Sequence, residues 1–440
     1  MLLFNANVFT NDEKRPYIEN GAILIRGNEI KDVGTSSELK GKYPDDEQID
    51  FSGKLIMPGL INCHTHIYSA YARGMAVSKP TRNFIEILEN LWWALDKKLT
   101  LEDCKLSAYQ TMIESIKNGV TCIFDHHASP NAVSGSLDEL AEAALELGIR
   151  ADLCYELTDR DGEKVRDQGL EENKRFIERC KKENNDLLRA HFGLHASFTL
   201  SDDSMEKASK IVNDLDAAVH CHCAEGIEDE LRCVREHGCR NLQRLEQFNL
   251  LNSRSFVVHL CHASAAELDI IKKFDAIALH NPGSNMNNAV GRTPLLQLLE
   301  RDILTGLGTD AYTHDMFDSM KTAKILHPHD LADPTVGFKE SLLLQFKNNP
   351  KIAARFWDKP MGVIKEGAYA DLAAFEYLPF TPMDENSIGG HILFGLSGKM
   401  CTDNMINGRF VMRNRKILTC DEKAIAERSR ERAKEVWKLM

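Results

Sequence analysis

The chain has 440 residues, 43% hydrophobic and 27% charged, a globular balance with length enough for one large domain and a smaller one. Its net charge of −12, from 54 basic and 66 acidic residues, argues against nucleic acid or an anionic membrane as partner. No apolar run approaches about 18 residues, so no membrane-spanning helix is expected.

Residues 1–54 read as short strands and turns. "GAILIRGNEIKDVG" alternates apolar and polar around Gly27-Asn28, a strand pair. The opening "MLLFNANVFTNDEKRP" lacks a basic leader and a long apolar core, so no signal peptide is expected. "LIMPGLINCH" reads as one strand running into His64 and His66. "NFIEILENLWWALDKK" places Phe84, Ile87, Leu88 and Leu91 on one helical face, where Trp92 and Trp93, being consecutive, can send at most one ring toward a pocket. The segment that begins at Arg73-Gly74 and leads to this helix is long for a barrel loop and predicts a lid or pocket wall. The next helix opens on a Thr100-x-x-Asp103 cap and closes on Asn118-Gly119.

Strands then recur at "VTCIF", "RADLCY", "LRAHFGLH", "DAAVHCHC", "SFVVHL", "DAIALH" and "DILTGLG", with helical segments between them. Eight strand–helix units predict an α/β fold, a (β/α)₈ TIM-type barrel over residues 55–361. Strands also read from "EGAYADLAAFEY" and from "MINGRFVMRNRKILT", with Asn407-Gly408 as a hairpin turn. They predict a small β-sandwich domain built from residues 1–54 and 362–420, that is, from both chain ends. A charged helix with a Thr419-x-x-Glu422 capping box and a solvated face is expected at 421–440. The cysteines are scattered with no Cys-x-x-Cys pair, which excludes ribbon-type zinc sites and suggests reduced thiols in a cytoplasmic protein.

The chemistry collects at the strand ends, where barrel active sites lie. Strand one ends in His64-Thr65-His66, strand four in His195, and strand five in His220-Cys221-His222 with Glu225 three residues on. Strand six ends in His259 with His262 after it, strand seven in His280-Asn281, and strand eight in Gly308-Thr309-Asp310. Residues two apart on a strand share a face, so His64 and His66 both point inward and can reach one metal. His220 and His222 share a face by the same rule, with His220 read as a lower-layer residue rather than a ligand. Cys221 and Cys223 then point outward as structural thiols. Neutral imidazoles with a carboxylate suit Zn²⁺ or Fe²⁺ and leave a position for water. "GLGTDA" is also a weak dinucleotide fingerprint, but Asp310 would repel a pyrophosphate there.

This order of motifs resembles the amidohydrolase superfamily, in the branch of cytosine, guanine and adenosine deaminases and triazine hydrolases. "MPGLINCHTH", "HCHCAEG", "VVHLCHAS", "HNPGSNMNNAVGRTPL", "GLGTDA" and "GAYADLAAFEY" carry the likeness. "NCHTHIYSAYARGMA" and "NFIEILENLWWALDK" are most similar to the SsnA-type aminohydrolases. The resemblance implies a hydrolase of heterocyclic C–N bonds with metal ligands His64, His66, His222 and Asp310. It implies catalytic roles for Glu225 as proton shuttle, for His259 in polarising the attacked group, and for Asp310. "GLHASFTLS" holds no lysine to bridge two metals, so one divalent metal per chain is implied, Zn²⁺ with Fe²⁺ as the alternative. Arg73, His195 and Asn285 are expected to contact a small heterocyclic substrate, Arg73 through a carbonyl or anionic edge, or else as a structural partner of a helix carboxylate. Ala196-Ser197-Phe198 replaces the Pro-Arg-Phe of guanine deaminases and disfavours guanine. Deamination and ring opening both remain open at this stage, and a homo-oligomer is expected from the likeness.

Overall fold

The computed structural model describes all 440 residues. Eight parallel strands form the barrel: Leu60–Thr65, Val120–Asp125, Arg150–Leu153, Leu188–Ala190 continuing as Phe192–Ala196, Val219–Cys223, Phe256–His259, Ile277–His280 and Thr305–Leu307. They are called strands one to eight below. Strand four pairs with strand three through its first half and with strand five through its second. The ring closes where the N–H groups of Thr309 and Asp310 both donate to the His64 carbonyl at 2.9 Å. Strands such as LINCHT and VTCIFD are buried along their whole length, because helices cover the outside and side chains fill the inside. The lower barrel is plugged by rings: Phe124 lies 5.1 Å from Phe256, and His220 lies 5.1 Å from Phe256, centroid to centroid.

The chain ends build one continuously hydrogen-bonded nine-stranded sheet. Strand Lys54–Pro58 joins its two halves: it runs parallel to Leu2–Phe9 and antiparallel to Leu372–Glu376. The apolar stretch read as one strand is therefore two, broken at Gly59. A Cβ at Gly59 would lie 2.2 Å from Thr121, so the crossing from sheet to barrel needs glycine. The expected boundary between residues 54 and 55 falls inside the sheet strand, and the barrel begins at Leu60.

Arg150 of strand three is fully buried and reaches across to the sheet, donating from Nε to Asp371 at 2.6 Å and from Nη2 to Asn407 Oδ1 at 3.0 Å. The C-terminal helix, Glu422–Trp437, is capped by the Asp421 side chain rather than by Thr419, whose hydroxyl turns away to the Leu147 carbonyl. Its charged face is not simply solvated. Arg432 pairs with buried Asp103 at 3.0 Å and Arg428 with Glu102, docking it on the helix Leu101–Lys117.

Candidate metal centre and pocket

Four imidazoles converge at the barrel mouth, and each is anchored through Nδ1. His64 Nδ1 meets His220 Nε2 at 2.8 Å, which gives the lower-layer His220 its use. His66 Nδ1 donates to the His126 carbonyl at 2.6 Å, and His222 Nδ1 to the His195 carbonyl at 2.9 Å. His259 Nδ1 donates to Asn285 Oδ1 at 2.7 Å. Anchoring one ring nitrogen fixes the tautomer and presents the other as a lone pair.

The freed Nε2 atoms face one another and Asp310. His66 Nε2 lies 3.2 Å from His222 Nε2 and 3.4 Å from Asp310 Oδ1. His259 Nε2 lies 3.4 Å from Asp310 Oδ2. The Nε2 atoms of His64 and His259 are buried and have no hydrogen-bond partner. Orphaned lone pairs and a carboxylate at this spacing fit a divalent metal. Burial holds His64 and His222 well below the usual histidine range, with neighbouring imidazoles adding to it, so the rings are neutral as ligation requires.

Two carboxyls differ in protonation. Burial would raise Asp310, but His66 and His259 outweigh it and hold its pKa low. Burial, then the charge of Asp310, pushes Glu225 well above the carboxylate range. Glu225 Oε2 lies 3.5 Å from His259 Nε2, and its Oε1 accepts from Asn288 at 3.4 Å. The backbone is strained where these groups project: φ is +51° at Ala224, +73° at His259 and +56° at Asp310.

Beside this cage lies a narrow chamber of about 40 Å³, opening to a vestibule of about 280 Å³ through Trp92, Asn288, Asp310 and Ala311. Both Trp92 and Trp93 line the chamber, against expectation. Residues Leu88–Trp92 form a π turn, whose extra residue re-registers the helix and brings neighbouring rings onto one face.

His64, His66, His222, His259, Asp310 and Glu225 are thus brought together, and His195 lines the chamber. Two of the expected substrate contacts lie outside the chamber. Arg73 stands at the vestibule rim with its side chain 69% exposed, and pairs with Glu114 at 2.8 Å, the helix-carboxylate alternative. Asn285 is fully buried and spent on His259 and Thr293, so it orients a histidine and does not line the chamber. His262 and His280 are likewise hydrogen-bonded away from the cage, to the Val290 carbonyl and to Thr293. Sequence reasoning missed Glu156, which lines the chamber, and its partner His126, whose Nδ1 lies 3.2 Å from Glu156 Oε2. Their one signal was position: His126 directly follows strand two, and Glu156 stands three residues past the end of strand three.

The Amidohydrolase family matches residues 55–411, and the chain belongs to that family. It is a metal-site hydrolase by fold and by donor set. A 5'-deoxyadenosine deaminase of Methanopyrus kandleri is 30% identical over 427 residues, covering 95% of this chain and 96% of its own. A 5-methylthioadenosine/S-adenosylhomocysteine deaminase of Syntrophomonas wolfei is 27% identical, covering 99% of each chain. Among solved structures, an adenosine deaminase from Xanthomonas campestris with bound zinc superposes with a TM-score of 0.88 at 20% identity, covering 99% of this chain and 98% of its own.

Proposed function

We propose that the chain is an aminohydrolase that removes an amino group from a purine- or pyrimidine-like heterocycle, with His64, His66, His222 and Asp310 holding one divalent metal. The observation that carries this reading is geometric: the Glu225 and Asp310 carboxyls flank His259 Nε2 at 3.5 Å and 3.4 Å, and their surroundings push Glu225 up and Asp310 down. Such a pair supplies an acid and a base at one centre. A metal held there, Zn²⁺ by its donor set with Fe²⁺ as the alternative, would lower the pKa of water to about 7. Asp310 takes the proton of the attacking water. Glu225 protonates the ring nitrogen beside the attacked carbon, which becomes tetrahedral. His259 Nε2, between the two carboxyls, steadies the developing charge. The proton held by Asp310 then leaves with the amine as ammonia, and the new hydroxyl returns its proton to Glu225 as the carbonyl forms. Trp92, Trp93 and Tyr68 wall the chamber and clamp a planar ring. The deaminase names of the relatives support loss of an exocyclic amine over ring opening. The SsnA-like segments form the chamber wall and the vestibule rim, so that likeness bears on which ring is taken.

The test is a screen of the metal-loaded protein against aminopurines, oxopurines, aminopyrimidines and hydantoins. Ammonia release with the ring retained supports the reading. Loss of ring absorbance without ammonia would replace it by cyclic-amide hydrolysis.

We also propose a homo-oligomer, supported by exposed Leu378, Phe380 and Phe394, 89%, 98% and 71% accessible, the two phenylalanines lining one surface groove with Phe338. Sedimentation analysis tests it. Free, mostly buried cysteines support a cytoplasmic setting.

A further inference from the structure

The chamber floor carries two groups with free polar atoms that the reaction above does not use. Glu156 is 3% exposed and its N–H is tied to the His127 carbonyl at 2.7 Å. Its Oε2 faces His126 Nδ1 at 3.2 Å. The other nitrogen of His126 faces only carbonyls, of Leu194 at 3.2 Å and His220 at 3.0 Å, and donates to them. Arg160 stands 3.8 Å from Glu156 Oε1. The carboxyl thus faces a guanidinium on one oxygen and a ring nitrogen on the other, surroundings that favour the carboxylate form. Its Oε1 has no hydrogen bond within the chain and borders the chamber.

His195 is the neighbour, with Nε2 3.9 Å from that oxygen. Its Nδ1 lies 2.7 Å from Thr199 Oγ1, and the Thr199 hydroxyl donates to the Ala196 carbonyl at 3.1 Å. Thr199 can therefore only accept from His195. The imidazole donates through Nδ1 and turns a bare lone pair at Nε2 toward the chamber. Two acceptors thus stand side by side, next to His222, with no protein donor within hydrogen-bond distance of Glu156 Oε1 and Arg160 nearest at 3.8 Å.

We propose that Glu156 and His195 are specificity-determining residues that select a heterocycle by N–H donors on the ring edge away from the metal, a lactam or ureide type of ring. This rests on the aminohydrolase reading for which ring atom meets the metal. An N9-substituted adenine, as in a nucleoside, offers only nitrogen acceptors on its remaining ring edges once its amine lies at the reaction centre. Acceptor would face acceptor, and a buried carboxylate would lose water without gaining a donor. A lactam ring supplies the missing N–H groups.

Binding tests this without turnover. Uracil, with two lactam N–H groups, and pyrimidine, the same ring with none, are titrated into metal-loaded protein, read by quenching of the tryptophans that line the chamber. Uracil is expected to bind roughly 10- to 100-fold more tightly, the scale of one charged hydrogen bond. Glu156→Gln should remove most of that preference with metal content unchanged. Thr199→Val, which touches no ligand of the cage, should weaken it by freeing His195 to carry its proton on Nε2. Equal binding of the two rings, failure of uracil to bind at millimolar concentration, or a preference that survives both variants would overturn the proposal. A failed ammonia screen would strike the proposed reaction instead and leave this preference measurable.

Discussion

Glu225 and Asp310 stand on either side of one imidazole, 3.5 Å and 3.4 Å from His259 Nε2, yet only Glu225 keeps its proton. The difference comes from company: Asp310 also faces His66, while Glu225 faces Asp310. Replacing Glu225 by Gln should leave metal content near one per chain and reduce turnover by about 10² to 10⁴, read by metal analysis beside ammonia release. Normal turnover would remove Glu225 from the mechanism. His66→Ala takes out an Nε2 at the centre of the cage, so metal and activity should fall together. Arg73→Met, by contrast, is expected to leave kcat/KM within about threefold, since an exposed pair with Glu114 is worth under about 1 kcal/mol. A tenfold loss would return Arg73 to the substrate. The converging histidines were legible because strand periodicity puts alternate residues on one face. Glu156 and His126 were not, because a single polar residue after a strand has no spacing to read, and only the packed barrel shows that they meet.

Among the elements, the helical segment from Phe84 to Asp96 carries the chamber wall, and one buried ion pair pins its end. Asp96 accepts from Arg160 Nη2, with side chains 1% and 8% exposed. Arg160 also lies under Trp93, 5.1 Å from its ring. Asp96→Ala would leave the buried guanidinium only its longer contacts, to Asp161 at 3.4 Å and Glu156 at 3.8 Å, and should cost about 3 kcal/mol of stability, measured by urea unfolding. A cost below about 1 kcal/mol would mean that water reaches Arg160. The segment's helicity was readable from its apolar spacing, but the π turn was not. A single inserted residue leaves the hydrophobic pattern intact and changes only which rings point inward.

Across the whole molecule, the sheet and the barrel share a buried tie, Arg150 to Asp371 and Asn407. Cutting it with Asp371→Ala should lower stability by about 3–5 kcal/mol and leave one cooperative transition, with ellipticity and tryptophan fluorescence moving together in urea. Two separate transitions would show that the units unfold independently. Eight alternating units made the barrel legible, because strands buried on both faces leave continuous apolar runs between helices. The same property hid the break at Gly59: Lys54–Pro58 and Leu60–Thr65 are buried alike, so burial could not tell a sheet strand from a barrel strand.

That shared strand has a consequence for synthesis. Lys54–Pro58 finds its antiparallel partner only in Leu372–Glu376, about 300 residues later. At roughly 5–20 residues per second, the first hairpins wait some 15–60 s on the ribosome with an open edge. A nascent chain arrested before residue 372 should therefore be cleaved by protease within its first 58 residues, and one extended past residue 413 should resist. During that interval the amino-terminal strands are the part of the polypeptide most exposed to pairing with another copy, and a chaperone that covers them would govern yield more than any contact in the finished enzyme.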